Sequence, residues 1–281
     1  MLPLHEVRIV ADSSADALSL AAVATASAPL CVATEQTEYV DTPALDVHAM
    51  ITALATYHGK TRTSCPSMAS YLDAFGDAKY VFCITITAKL SASYAVACSA
   101  ARAYEEEHPD RRVYVIDSRN TGPGMRLIAE KVEELLLAGK DFDEICKEAD
   151  AYREQTELLF LLESLHNLAN NGRVNRAVAK IAGLLGIRML GRAVEGEISP
   201  VAKPRGAGRA LVEAVEQMLA LGYKGGKLRV SHCENEQAAA DLVALLREKF
   251  PELSVKVQET GALCSYYAER GGLLVGFECE K

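Results

Sequence analysis

The chain has 281 residues, of which 49% are hydrophobic and 24% are charged, and its formal net charge is −8 at pH 7. A globular protein of this size has room for one large or two medium domains. The acidic balance excludes a general nucleic-acid binder, which needs a concentrated basic face. No apolar stretch reaches the ~20 residues of a transmembrane segment, and the first residues lack the features of a signal peptide, so we expect a cytoplasmic protein.

Strands and helices alternate along the first half of the chain. Strands are expected at residues 7–11, 30–33, 80–87 and 112–117, and helices at 46–57, 66–75, 91–107, 125–138 and 141–155. The run at 80–87 is almost continuously apolar, which is typical of a strand buried on both faces. This alternation predicts an α/β architecture with mainly parallel sheets.

A shift in composition near residue 158 indicates a second α/β unit, so we place two domains at residues 1–157 and 158–281. In the second unit we expect strands at 158–162, 227–232, 254–259 and 272–277, a hairpin turning at 195–200, and helices at 163–170, 174–185, 211–219, 236–249 and 263–269. The predicted fold class is therefore α/β with two domains.

Three apolar runs give way to serines and threonines where a helix is expected to begin, at residues 12–16, 63–67 and 90–94. A helix start carries unpaired N–H groups and the positive end of the helix dipole. In the second segment Pro66 suits the first helical turn, with Ser64 or Cys65 as the cap. In open α/β sheets, ligands bind outside the carboxyl ends of strands. The repetition favours a cradle for a small anionic head group, and plain helix capping is the alternative.

Other motifs support a nucleotide, metal or catalytic site less well. Gly122-Pro123-Gly124 follows a strand and opens a helix, but it lacks a third glycine, and Pro123 removes an amide that a phosphate could use. The eight cysteines stand singly and the six histidines form no metal-like pair. The alternative function is an enzyme that acts on a small phosphorylated or acylated substrate through the same Ser/Thr cradle. Its general base would be Glu259 or His232, although His232 is better explained as a strand-end residue bonded to backbone.

Five short motifs follow one another in a specific order. They are Asp-Ser-Ser-x-Asp at 12–16, Thr-Ser-x-Pro-Ser at 63–67, Leu-Ser-x-Ser-Tyr at 90–94, Asp-Ser at 117–118 and Asn-Gly-Arg-Val at 171–174. From Val7 almost to the C-terminus, the chain resembles the DegV family of bacterial fatty-acid-binding proteins. The resemblance implies two α/β domains with one long-chain fatty acid, or a related lipid, buried between them. It also implies a binding protein without a cofactor and without catalytic activity of its own.

The resemblance further implies the residues of the binding site and a partner. Carried over by motif, Thr63, Ser64 and Ser91 would hold the lipid carboxylate, with Ser93 adjacent. Arg173 would lie near the head-group entrance. Members of the family serve as binding subunits of a fatty acid kinase, so the implied partner is a separate catalytic subunit that makes acyl-phosphate.

The chain departs from the family pattern at two places. Ser91-Ala92-Ser93 replaces the usual Ser-Gly-Thr and keeps both hydroxyls. Near the C-terminus, Glu259 stands where the family has the histidine of His-x-Gly-Pro-Gly. An ionised glutamate repels a carboxylate a few ångströms away. We therefore expect Glu259 to disfavour an ordinary free fatty acid if it faces the site.

Overall fold

The first half of the chain is built on a four-stranded parallel sheet. The structure is a computed structural model that describes residues 2–175 and 186–280. The strands of this sheet are β1 (Val7–Asp12), β2 (Ala24–Ala28), β6 (Tyr80–Thr85) and β7 (Arg112–Asp117), in the order β2-β1-β6-β7. Sequence analysis missed β2, because its alanines and serine have low β propensity and it forms only by pairing with β1.

A small antiparallel sheet and five helices complete this half. The sheet has the order β4-β3-β5, with β3 at Cys31–Ala33, β4 at Glu38–Val40 and β5 at Arg62–Ser64. The helices are α1 (Val47–Ala55), α2 (Met68–Phe75), α3 (Ser93–Glu107), α4 (Pro123–Leu137) and α5 (Phe142–Arg153). All five predicted helices are present, with ends that differ by a few residues.

The second half is built on a six-stranded mixed sheet with the order β10-β9-β8-β13-β11-β12. Its strands are β8 (Thr156–Leu162), β9 (Met189–Val194), β10 (Glu197–Ala202), β11 (Leu228–His232), β12 (Val255–Glu259) and β13 (Leu273–Glu278). Among the described strands of this half only β11 and β12 pair in parallel, so the expectation of mainly parallel sheets is wrong here. Parallel neighbours need long crossovers, whereas β9 and β10 form the predicted tight hairpin through Glu195 and Gly196.

In the described part of the second half, four further helices accompany this sheet. They are α6 (His166–Asn170), α7 (Ala207–Ala220), α8 (Glu236–Lys249) and α9 (Ala262–Ala268). The helix predicted at 174–185 falls largely on residues 176–185, which lie outside the described ranges. No helix within those ranges combines the length and the apolar composition needed to cross a bilayer.

Helix α4 lies between the two sheets and contacts both of them. Every residue from Pro123 to Glu130 is buried. The helix approaches β13 closely at Gly276, where a Cβ atom would lie 2.7 Å from the carbonyl carbon of Pro123. The two halves therefore share a packed interior through α4, and the absence of a side chain at Gly276 allows the close approach.

Strand β8 separates the core of the second half from the space between the halves. Leu159 and Leu161 pack into the core beneath α7 and α8, whereas Leu158, Phe160 and Leu162 belong to a separate apolar cluster on the opposite face. This division follows from the alternation of side chains along a strand. We propose the domain boundary at 157/158, because β8, the first strand of the second sheet, begins two residues earlier at Thr156.

Candidate functional site

A cavity of about 330 Å³ lies between the two halves of the chain. Its apolar lining residues are Leu30, Ile86, Leu90, Leu158, Phe160, Leu162, Leu168, Ala193, Ile198, Leu263, Ala268 and Leu274. They come from loops of the first half, from the face of β8 that points to the space between the halves, from elements beside β8, and from α9. The volume is within the range of ~300–1,000 Å³ usual for small-molecule sites. Such a lining suits a ligand that is apolar over most of its length.

Thr63 and Ser64 line this cavity from the end of strand β5. The prediction that they begin a helix is wrong, because Thr63 pairs with Val32 in the small antiparallel sheet. Helix α2 starts later, at Met68, and its cap is Ser67, whose Oγ accepts a hydrogen bond of 3.1 Å from the amide of Ser70. The hydroxyls of Thr63 and Ser64 therefore do not cap this helix.

Ser91 also lines the cavity, and Ser93 lies directly behind it. The Ser91 Oγ accepts a hydrogen bond of 3.2 Å from the amide of Ser93, and the two hydroxyl oxygens are 2.9 Å apart. Ser93 is the first residue of α3, is fully buried and is not among the lining residues. Of the two predicted serines, Ser91 therefore places its hydroxyl at the cavity, and Ser93 supports Ser91 from behind.

Arg173 brings a cation to the same cavity. Its guanidinium donates hydrogen bonds to the carbonyl oxygens of Leu90, at 3.4 Å, and Asn171, at 2.5 Å. The first of these contacts joins the second half to the loop that carries Ser91. The placement of Arg173 beside the hydroxyls agrees with the sequence prediction, whereas its binding role stays a prediction.

Two tyrosines of α9 join the second half to strand β5 and to the residue before it, and neither was predicted from the sequence. The Tyr267 hydroxyl lies 2.7 Å from the Thr63 Oγ1, and the Tyr266 hydroxyl lies 2.5 Å from the Thr61 Oγ1. Tyr267 also lines the cavity. Burial raises the pKa of both tyrosines, so both keep their protons at neutral pH. No motif marked them, because their partners are distant in sequence.

The first hydroxyl-rich segment, Asp12–Asp16, does not belong to the cavity lining, so its predicted place in the cradle is wrong. Its serines are buried and already paired: the Ser13 Oγ accepts a hydrogen bond of 2.9 Å from the amide of Leu30, and the Ser14 hydroxyl bonds to the Asp12 carboxylate. The segment forms a one-turn helix after β1. Its hydroxyls hold the loop together.

Glu259 is exposed at the end of the edge strand β12 and does not line the cavity. Its predicted place among the ligand-binding residues is therefore wrong, and the repulsion expected if it faced the site does not arise. His232 also lies outside the cavity lining, and its Nδ1 accepts a hydrogen bond of 3.4 Å from the amide of Asn235. Neither of the general bases expected for the enzyme alternative reaches the cavity hydroxyls, so that alternative gains no support.

After Glu259 the chain turns into α9, and the start of this helix is what meets the first half. The Asp16 Oδ1 accepts a hydrogen bond of 2.8 Å from the amide of Gly261. The two carboxylate oxygens of Asp41 accept hydrogen bonds of 2.9 Å and 3.1 Å from the amides of Ala262 and Leu263. Carboxylates satisfy the unpaired amides of a helix start well. These two aspartates therefore position the helix that forms one wall of the cavity.

Burial raises the pKa of Asp16 to about 6, from 3.8 in an unfolded chain. The folded protein thus holds this proton more tightly than the unfolded chain does. The resulting stability is fully present below pH 3.8 and is lost as the pH rises through about 6. Among the described residues the Asp16 Oδ2 has no hydrogen-bond partner, so replacing this oxygen by an amide NH₂ group breaks no hydrogen bond.

We therefore expect Asp16→Asn to raise the free energy of unfolding at pH 8 by up to about 2–3 kcal/mol and to change it little at pH 4. Urea unfolding at the two pH values measures this difference. The control is Asp110→Asn at an exposed loop position. If Asp16→Asn and the wild type lose the same stability between pH 4 and pH 8, Asp16 does not hold a proton as described.

The start of α4 is buried against the rest of the fold. A Cβ atom at Gly122 would lie 3.2 Å from the Asp16 Oδ2 and 3.3 Å from Leu274. A dinucleotide has no room at this helix start, in agreement with the weak motif at Gly122-Pro123-Gly124. Among the residues within 2–175 and 186–280, no group of three or more histidine, cysteine or acidic side chains could hold a metal ion.

Comparison with known families and curated proteins gives consistent matches along the whole chain. A family model described as "Uncharacterised protein, DegV family" matches residues 6–279. A DegV domain-containing protein of Streptococcus pneumoniae is 37% identical over 278 residues, which cover 97% of this chain and 99% of the relative. One from Streptococcus gordonii is 36% identical over 276 residues, covering 96% and 98%.

Solved structures are similar over the same extent. A DegV family protein from Eubacterium eligens, loaded with heptadecanoic acid, is 41% identical with a TM-score of 0.96, covering 98% of this chain and 100% of that one. The fatty acid kinase B3 protein of Streptococcus pneumoniae, loaded with linoleic acid, is 35% identical with a TM-score of 0.94, covering 98% and 99%. Both similarities span both sheets and the cavity between them.

Proposed function

The chain belongs to the DegV family, and on that premise we propose that it binds one long-chain fatty acid in the cavity between its two sheets. The observation that carries the proposal is an apolar cavity whose polar lining includes Thr63, Ser64, Ser91 and Arg173. Two similar proteins were solved with heptadecanoic acid and linoleic acid bound. The carboxylate would accept hydrogen bonds from the three hydroxyls, with the guanidinium of Arg173 nearby.

The apolar lining supplies most of the expected affinity. Burying a methylene group contributes about 0.8 kcal/mol, so some sixteen of them contribute about 13 kcal/mol before the cost of association, about 4–15 kcal/mol, is subtracted. The hydroxyls are neutral donors that orient the head group, and the guanidinium of Arg173 supplies the nearby positive charge. The tail therefore gives affinity, and the Ser/Thr cradle gives orientation.

We further propose that the chain is a non-catalytic binding subunit that presents the acyl carboxylate to a fatty acid kinase. The similarity to the fatty acid kinase B3 protein of Streptococcus pneumoniae supports this partnership. The purified chain alone should not consume ATP when fatty acid is added, and a fatty acid kinase catalytic subunit should produce acyl-phosphate only when the chain is present. ATP turnover by the chain alone would contradict the proposal. The cytoplasmic location stays a prediction.

Native mass spectrometry and organic extraction of the purified protein test lipid binding directly. We expect one fatty acid per chain. Delipidated protein should bind an added C16–C18 fatty acid with the same stoichiometry. If no lipid is recovered and added fatty acids do not bind, the proposed function is wrong.

We expect Thr63→Val to weaken fatty-acid binding at least about tenfold, because one hydrogen bond to a charged group is lost, a loss of about 1.5–3 kcal/mol. Valine suits a strand, but the hydrogen bond between Thr63 and Tyr267 is also lost, so the free energy of unfolding should fall by about 0.5–1.5 kcal/mol. Titration calorimetry measures the affinity. The matched control is Ser67→Ala, which removes the cap of α2, costs about 0.5–2 kcal/mol of stability and should leave the affinity unchanged. Equal affinity of Thr63→Val and wild type would contradict the role of Thr63.

A further inference from the structure

A second cavity of about 140 Å³ adjoins the larger, apolar cavity. The two cavities have five lining residues in common, which are Arg119, Asn120, Leu158, Ala193 and Gly196. The head-group residues Thr63, Ser64, Ser91 and Arg173 line the larger cavity and not the smaller one. The two cavities therefore meet at a junction away from the proposed head-group site, and we call the smaller cavity the distal pocket.

Charged side chains line the distal pocket, in contrast to the apolar walls of the larger cavity. Three arginines and three glutamates are among its lining residues, namely Arg119, Arg153, Arg192, Glu154, Glu157 and Glu195. The guanidinium of Arg192 lies 3.1 Å from the Glu157 carboxylate. The Glu154 carboxylate lies 3.2 Å from Arg119 and 3.0 Å from Arg153. The positive and negative charges of these six side chains balance, so the pocket suits a neutral hydrogen-bonding group better than an anion.

Arg119 is held at the junction by a loop with several internal hydrogen bonds. Among the described residues it is the one charged side chain that lines both cavities. Its amide donates a hydrogen bond of 3.1 Å to the Asp117 Oδ1, and the carbonyl oxygen of Asn120 accepts one of 3.0 Å from the amide of Thr87. The φ of Arg119 is 52°, in the left-handed region that residues other than glycine seldom adopt. The fold thus keeps Arg119 at the junction in an unfavourable backbone conformation, which is a feature more common at functional sites than elsewhere.

The Arg119 side chain has N–H groups that no protein atom uses. Its Nη1 donates hydrogen bonds of 3.2 Å and 3.3 Å to the two carboxylate oxygens of Glu154. Its Nε and Nη2 have no hydrogen-bond partner within residues 2–175 and 186–280. A guanidinium carries five N–H groups in a fixed planar arrangement. Arg119 can therefore donate to an oxygen atom of a ligand at the junction and keep its bonds to Glu154.

We propose that the junction is a subsite for a hydroxyl group at the end of the acyl chain far from the carboxylate, and that Arg119 is the donor that binds this hydroxyl. Leu158 of β8 and Ala193 of β9 are apolar residues of the junction and would contact the last methylene groups. The ligand class is then a long-chain fatty acid hydroxylated at its far end. This inference rests on the proposed function, since it takes the carboxylate to be bound at the Ser/Thr cradle.

The junction should distinguish chain ends by their polarity and charge. Burying a hydroxyl in an apolar cavity without a hydrogen bond weakens binding by about 5- to 100-fold, and a bond from Arg119 removes most of this loss. A second carboxylate at the junction would face the carboxylates of the distal pocket, and like charges repel each other. We therefore expect a terminal hydroxyl to be accepted and a terminal carboxylate to be disfavoured.

The test compares three ligands of equal chain length, which are an unsubstituted fatty acid, its ω-hydroxy acid and its α,ω-dicarboxylic acid. Titration calorimetry on delipidated protein measures their affinities at C14, C16 and C18. We expect the ω-hydroxy acid to bind within about fivefold of the unsubstituted acid at one or more of these lengths, and more tightly than the dicarboxylic acid there. An ω-hydroxy acid that loses more than about fivefold at every length would overturn the inference, and so would tighter binding of the dicarboxylic acid.

Variants of Arg119 show whether the hydroxyl is bound or only reaches solvent. Arg119→Met removes the donors but keeps a long unbranched side chain, so it should raise the ratio of the two dissociation constants, ω-hydroxy over unsubstituted, at least about fivefold. Arg119→Lys retains a donor and should raise the ratio less. Arg102→Met on the exposed side of α3 removes the same charge and should leave the ratio at the wild-type value. Thermal unfolding shows whether each variant is folded.

The outcomes separate this inference from the proposed function. A folded Arg119→Met protein with the wild-type ratio would mean that Arg119 does not bind the chain end, and the subsite would be wrong. If the unsubstituted acids do not bind to the wild type at any length, the proposed function itself fails. Binding of unsubstituted acids together with rejection of every ω-hydroxy acid overturns the subsite alone.

Discussion

Ala268→Phe is expected to weaken the binding of C16–C18 fatty acids by about 10²–10³-fold. Ala268 lies on α9, is 3% exposed and lines the cavity near Leu162 and Leu168. A phenyl ring there occupies space that the acyl chain would fill. Excluding four or five methylene groups from burial removes about 3–4 kcal/mol, which corresponds to this loss of affinity. Because the ring enters an existing cavity, it avoids the overpacking that a closed core imposes.

Calorimetric titration with a series of chain lengths measures this effect. The loss should be largest for C18 and should shrink toward C10, since a short chain leaves room for the ring. Ala240→Phe is the matched control, because Ala240 is an exposed residue of α8 in the same half. Thermal unfolding shows whether each variant is folded. A folded Ala268→Phe protein that binds C18 as tightly as the wild type would mean that the tail lies elsewhere.

Glu130→Ala is expected to lower the free energy of unfolding by about 3–5 kcal/mol, because it leaves a buried cation without its partner. Glu130 lies on α4, and its carboxylate is 2.6 Å from the Arg229 guanidinium and 3.0 Å from the Lys256 ammonium on the second sheet. The Glu130 and Arg229 side chains are only 7% and 5% exposed. Burial alone would raise the pKa of Glu130, but the hydrogen bonds from Arg229 and Lys256 lower it overall.

Chemical unfolding of matched variants isolates this effect. Glu134→Ala removes an exposed partner of Lys227 one turn further along α4 and should cost less than about 1 kcal/mol. The double variant Glu130→Met, Arg229→Met should regain much of the lost stability, since it leaves no unpaired charge of this pair. If Glu130→Ala and Glu134→Ala cost the same, the buried pair does not join α4 to the second sheet as described.

The candidate site was only partly predictable from sequence. Short motifs identified Thr63, Ser64, Ser91 and Arg173, which all line the cavity. The helix start predicted at the Thr63–Ser64 pair is wrong, since both residues lie in strand β5. Serine and threonine also occur at strand ends, and this segment forms a strand because Thr63 pairs with the neighbouring strand β3.

Glu259 and Tyr267 show two further differences between the sequence prediction and the structure. A sequence motif placed Glu259 at the head group, yet it lies exposed on an edge strand. Tyr267 belongs to no motif, yet its hydroxyl lies 2.7 Å from that of Thr63. Partners that are some two hundred residues apart leave no local pattern, because their contact depends on how the two halves dock.

By itself the sequence determined most helices and strands, the two-part α/β organisation and the hydroxyl motifs, because hydrophobic periodicity and turn residues act over a few positions. Tertiary structure alone decided the antiparallel course of the second sheet and the burial of α4 between the sheets. It also decided which hydroxyls face the cavity and which, like Ser93, lie buried behind it. These features depend on long-range pairing and on buried charge, whose energies arise only when distant segments exclude water from one another.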